Sequence, residues 1–112
     1  MKRLKEINLE DGKPTVEEAL ALLKSNVNNA KNGNVGCLYV IHGYGSSGKG
    51  GAIRDKARQW LNAQARNGAV RSVINGEDFN IFNFKALELK NTYKELAQLL
   101  MVCNHGVTIV EL

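Results

Sequence analysis

An α/β domain of two or three layers is the fold class this sequence predicts, and three observations carry it. Strand-like and helix-like patterns alternate along the chain in the order βαβαβ(α)β. The segment Cys37–Ile41 is apolar throughout, the pattern of a strand buried on both faces of a sheet. Between it and a cation-rich helical stretch lies a glycine-rich loop, Gly43 to Gly51. Such a junction gathers backbone N–H groups at a helix N-terminus, where an anion is welcome.

The elements follow in order. Lys5–Leu9 alternates apolar and polar residues and reads as a strand. Glu10 to Pro14 breaks it. Thr15, followed three residues on by Glu18, makes a capping box, and Val16, Leu20, Leu23, Val27 and Ala30 recur at helical spacing up to about Lys31. The strand Cys37–Ile41 comes next, and a strand–helix–strand order implies a right-handed parallel crossover. The second helix buries Ile53, Ala57, Trp60, Leu61 and Ala65, turns Arg54, Asp55, Arg58 and Arg66 toward solvent, and stops at Asn67-Gly68. Ala69–Ile74 is a third strand. Phe79–Phe84 is either an edge strand after an Asn-Gly turn or a loop on the core, because its apolar phase slips between Ile81 and Phe82. Apolar spacing from Ala86 to Leu100 predicts a third helix over Lys85–Met101, and Val107–Val110 closes the sheet.

With 112 residues, 44% hydrophobic and 23% charged, the chain fits one domain with one core. No apolar run approaches the ~18–20 residues that span a bilayer, so no membrane partner is expected. Met1 to Glu6 carries cations without an apolar stretch after them, which predicts no signal peptide and a cytoplasmic location. Cys37 and Cys103 show neither metal-ligand nor CxxC spacing, and both read as small buried hydrophobes. The net charge is +4, and its cations cluster. From Gly45 to Arg71, Lys49, Arg54, Lys56, Arg58, Arg66 and Arg71 face only Asp55, a pattern that points to nucleic acid or a phosphorylated ligand.

Chemistry concentrates on one sheet edge. The carboxyl ends of two parallel strands share that edge, so Glu10 and Asp11 emerge near His42 and the loop. Gly43, Gly45, Gly48 and Gly50, with Ser46 and Ser47 between them, let backbone approach a phosphate closely. Lys49 neutralises its charge, and Arg54 and Arg58 are candidates to grip it from the helix. His42 is the candidate general acid or base, and Glu10 with Asp11 are candidate ligands for Mg2+ or Mn2+. For each there is a plainer alternative: a hydrogen-bonded structural histidine, solvated turn acids, a tight glycine turn. A rival class, a P-loop-like nucleotide binder, is suggested by Gly43-x4-Gly48-Lys49, but Gly50 stands where that motif needs Ser or Thr to hold magnesium.

Several stretches together resemble the small MutS-related (Smr) domain family. They are Ile7-Asn-Leu9, Thr15-Val-Glu-Glu18-Ala19-Leu20, Ile41-His42-Gly43-Tyr-Gly45 with Lys49-Gly50 and Ile53-Arg54, and Gly106-Val-Thr-Ile-Val-Glu111-Leu112. The resemblance runs from about Ile7 to Leu112, making residues 1–112 a single domain. It implies a two-layer βαβαββ-type sandwich with a mixed sheet, like the C-terminal domain of translation initiation factor 3, with an extra helix before the last strand. It also implies DNA or RNA as partner, with an endonuclease or nicking activity as the expected chemistry and a non-catalytic nucleic-acid or ribosome-associated module as the alternative. Asn8 and Glu10 depart from the acid and the histidine of the family's Leu-Asp-Leu-His-Gly first-strand motif, which is the motif linked to cleavage.

Overall fold

The computed structural model describes residues 2–30, 32–43 and 49–112, without the side chain of Lys49. Four strands, β1 (Arg3–Asn8), β2 (Val35–Ile41), β3 (Ser72–Asn75) and β4 (Val107–Glu111), form one mixed sheet in the order β1-β2-β4-β3. β1 runs parallel to β2, with Leu4 opposite Cys37 and Asn8 opposite Ile41. β4 is antiparallel to both neighbours, pairing Ile41 with Val107 on one side and Asn75 with Thr108 on the other.

Helix α1 (Val16–Asn29) starts where the capping box puts it. Thr15 Oγ1 accepts from the Glu18 N–H at 3.1 Å, and the Glu18 carboxylate accepts from the Thr15 N–H at 2.9 Å. With α2 (Lys49–Arg66) it covers one face of the sheet. There Ala19, Leu23, Ile53, Ala57 and Leu61 pack on Ile7, Leu38, Val40 and Val110. Lys24 lies 5.8 Å from the Trp60 ring centroid, a cation–π contact bridging the two helices.

The opposite face is covered as well. Phe79, Ala86, Leu89, Tyr93, Leu96 and Leu99 pack on Cys37, Ile74, Val107 and Ile109. β2 is therefore buried on both faces, as its unbroken apolar run requires. The α/β class, the mixed sheet and the parallel crossover match the expectation, and the elaboration before the last strand supplies this second cover.

Two elements differ in detail from the sequence reading, and a third takes one of the two forms expected for it. The expected helix over Lys85–Met101 is two pieces, α3 (Phe84–Thr92) and a 3-10 helix (Lys94–Met101). The break is at Tyr93, whose φ of −118° and ψ of 89° leave the helical region. Its hydroxyl packs so close to Gly36 that a Cβ there would collide with it. The third strand begins at Ser72 rather than Ala69, since the N–H groups of Ala69 and Val70 turn back to the Gln64 carbonyl and close α2. Phe79–Phe84 takes the second of its two expected forms, a loop on the core that runs into α3, and not the edge strand. Phe79 is fully buried, while Phe82 and Phe84 are 91% and 85% exposed, and the Asn83 side chain caps α3 through the Ala86 N–H at 3.0 Å.

Candidate nucleic-acid interface

The carboxyl ends of β1 and β2 lie side by side, and α2 begins a few residues beyond Gly43. Leu9 N–H still bonds the Ile41 carbonyl at 2.7 Å, so the chain stays paired to the rim before turning away at Glu10. The turn places the Glu10 carboxylate directly against Gly43; a Cβ at that position would overlap it. Gly43 has φ of +68°, so both its backbone conformation and this close approach call for glycine. The structure thus brings Glu10 to the His42–Gly43 junction. Asp11 is exposed in the turn that follows.

His42 is completely buried, together with Thr108 the only polar or charged side chains so buried among the described residues, and the two bond to each other. His42 Nδ1 is 2.7 Å from the Gly43 carbonyl oxygen and Nε2 is 2.8 Å from Thr108 Oγ1. A carbonyl can only accept, so Nδ1 carries the proton and Nε2 accepts from the threonine hydroxyl. Thr108 Oγ1 in turn accepts from Arg58 Nε at 3.0 Å. Arg58 completes the run by gripping both Glu77 oxygens, at 2.9 and 2.7 Å. Nη2, one of the two nitrogens on Glu77, also donates to the Val107 carbonyl at 3.1 Å.

This chain of donors fixes the protonation state of the histidine. Burial pushes the His42 pKa down to about 4, and the charges of Arg58 and Arg54 push the same way, against the Gly43 hydrogen bond and the Glu77 charge. His42 is neutral at physiological pH, with both ring nitrogens engaged. For Glu77, burial raises the pKa, but the hydrogen bonds from Arg58 and its own backbone, with the charges of Arg58 and His105, outweigh it and leave it lowered.

The sequence reading turned Arg58 toward solvent; the structure folds it inward, with a side chain only 13% exposed. The reason is the partner set. One carboxylate, one hydroxyl and two backbone carbonyls converge on a position one turn after Arg54. Arg54 keeps an open aspect. It touches its neighbour Asp55 at 3.4 Å and forms part of the wall of a cavity of about 630 Å3 with Val102, Cys103, Asn104 and His105.

The N–H groups of His42 and Gly43 are not free for an anion, because both donate to the Gly106 carbonyl, at 2.9 and 3.0 Å. Gly45, Ser46, Ser47 and Gly48 lie outside the described residues, as do the side chain of Lys49 and the surroundings of Gly50. No acidic residue falls in the first turn of α2. Among the described residues no three His, Cys, Asp or Glu side chains gather to hold a metal ion. Glu10 and Asp11 are the two carboxylates near this rim, and a pair of that kind suits Mg2+ or Mn2+ only together with water or phosphate oxygens.

Sequence reasoning missed Thr108 and Glu77. A threonine inside an otherwise apolar strand is the signal that could have found the first, since a buried hydroxyl must have a partner. It also placed Cys103 in the core; Cys37 is buried as expected, but Cys103 is exposed, at φ of +49°. It follows the last turn of the 3-10 helix, where apolar neighbours in sequence do not face the core.

A mixed four-stranded sheet, helices on both faces and a glycine junction opening onto a long basic helix define a small α/β domain with one polar rim. The chain belongs to the Smr-domain family, whose model matches residues 12–78. The crystal structure of the Smr domain of Thermus thermophilus MutS2 is similar, with a TM-score of 0.58 and 24% identity over 96% of this chain and 95% of that one. At that identity the likeness shows a shared fold. No curated protein matches the chain. Among the described residues, no helix is long and apolar enough to cross a membrane.

Proposed function

We propose that this domain binds nucleic acid, DNA or RNA, by its phosphate backbone, at the rim where β1 and β2 end and α2 begins. The observation that carries this reading is the division of labour between two arginines one helical turn apart. Arg58 is consumed inside the protein, holding Glu77, Thr108 and the Val107 carbonyl, while Arg54 stands at the surface with the acid-free N-terminus of an 18-residue helix behind it. The helix dipole and Arg54 both favour an anion there. The net charge of +4 favours the same partner. His42 acts here as a strut: its hydrogen bonds tie the end of β2 to β4 and so hold the loop's starting point.

A second reading, an endonuclease acting at the same rim, draws on the Glu10 carboxylate seated against Gly43 beside His42. In it His42 must release Thr108 before it can exchange a proton with substrate.

Binding is tested by fluorescence anisotropy with single-stranded RNA and duplex DNA across a salt series. The expected outcome is a steep salt dependence, weakened by Arg54→Ala and by Lys49→Ala. Affinity that is indifferent to salt and to both substitutions overturns the reading. Nicking of supercoiled plasmid that survives purification and is lost in Glu10→Gln selects the nuclease.

A further inference from the structure

The cavity beside Arg54 holds a cluster that binding does not use. Cys103 Sγ is exposed and lies 3.7 Å from His105 Nε2. The other nitrogen of that imidazole, Nδ1, lies 3.4 Å from Glu77 Oε2. The thiol has a second, longer contact, to the Glu77 carbonyl at 3.9 Å. We propose that Cys103, His105 and Glu77 form a thiol–imidazole–carboxylate site that undergoes exchange with small, negatively charged disulfides.

The geometry assigns each group a role. With its proton on Nδ1, 3.4 Å from the Glu77 carboxylate, the imidazole presents the Nε2 lone pair to the thiol and can take its proton. Glu77 is a positioning residue: its carboxylate is anchored at both oxygens by Arg58, so it orients the imidazole from a fixed place. The positive φ of Cys103, uncommon for a residue with a side chain, sets the sulfur on the cavity wall rather than in the core. Because Arg58 already neutralises Glu77, Arg54 is, among the described residues, the cation that lines the cavity, and it selects for an anionic reagent.

The reaction balances without an outside oxidant. The Cys103 proton moves to His105 Nε2, and the thiolate attacks one sulfur of the incoming disulfide. A new bond forms between Cys103 and that sulfur while the original S–S bond breaks. The departing thiolate leaves with the electron pair and takes the proton back from the imidazolium. The product carries an anionic group beside Arg54, on the rim proposed to meet phosphate.

The test compares two reagents on the folded protein, dianionic 5,5′-dithiobis(2-nitrobenzoate) and dicationic cystamine, each rate divided by that of glutathione with the same reagent. One fast adduct per chain is expected, mapped to Cys103 by peptide mass. Cys37, buried and with its thiol pushed up to about 12 mainly by burial, serves as the internal control and stays unmodified. The normalised rate is expected to favour the dianion several-fold, and Arg54→Gln to erase that preference. His105→Gln, at an exposed position, is expected to slow both reagents several-fold with an unchanged circular dichroism spectrum. Rates equal to those of glutathione, indifference to His105→Gln, or no preference for the dianion overturns the proposal. None of these outcomes depends on nucleic-acid binding.

Discussion

The Thr108 hydroxyl lies 2.8 Å from His42 Nε2 in a place with no access to water. It gives its hydrogen to the imidazole and accepts one from Arg58, so one small side chain satisfies two groups from different elements. Thr108→Val keeps the shape and removes both bonds, leaving a buried ring nitrogen and a guanidinium N–H unpaired. A loss of about 2 kcal/mol is expected from the desolvation of these groups. Thr108→Ser, which keeps the hydroxyl, should recover most of it. Urea denaturation of the two variants makes the comparison.

Acid should destabilise the fold earlier than its carboxylates alone would allow. The His42 pKa is lowered from 6.5 to about 4 in the folded protein, mainly by burial, so the unfolded chain takes up the proton first. Its contribution is therefore complete above pH 6.5 and is lost as pH falls toward 4, by up to about 1.4 kcal/mol per unit. Denaturation midpoints at pH 7, 6 and 5 should fall steadily, over a range where carboxylates are still ionised. A flat profile there, or an imidazole NMR signal from His42 that titrates near 6.5 in the folded state, contradicts this.

The two arginines should separate cleanly. Arg58→Ala strands the Glu77 carboxylate in a half-buried place and is expected to cost about 3 kcal/mol of stability. Arg54→Ala, with its partly exposed side chain, should change stability by less than about 0.5 kcal/mol and lower the salt slope of nucleic-acid binding by about one. Thermal melts and anisotropy titrations on the same preparations decide it.

Two glycines test packing against conformation. A Cβ at Gly76 would run into the Asn104 backbone oxygen and Val107, neither of which can swing away, so Gly76→Ala should cost roughly 2–3 kcal/mol. At Gly68 φ is +82° with open space around it, and only the backbone penalty applies, about 1 kcal/mol for Gly68→Ala. Equal losses in a pair of thermal melts would mean the crowding at Gly76 is relieved by movement of the loop.

Much of the architecture was legible because local signals were strong. Thr15 and Glu18 state a helix start, and the apolar run at Cys37 states a doubly covered strand. What could not be read was set at long range. Arg58 has the same helical position and charge as a solvent-facing residue, and only Glu77 and Thr108, distant in sequence, pull it inward. Tyr93 fits a helical stripe, yet the space above Gly36 makes it the point where the helix ends. Of the site, the junction at His42 and the placing of Glu10 beside it were legible from the two parallel strands. The engagement of both imidazole nitrogens was not, since it depends on β4.

The position of β4 constrains how the polypeptide acquires its shape. This strand comes latest in the chain of the four, yet it is wedged between β2 and β3, and the Gly106 carbonyl just before it holds the backbone of His42 and Gly43. On a ribosome, everything up to Met101 can be made while β3 still has no strand beside it and β2 has only β1. Consolidation must wait for these late residues, which makes the nascent domain slow to close and dependent on protection of its two open strand edges until they arrive.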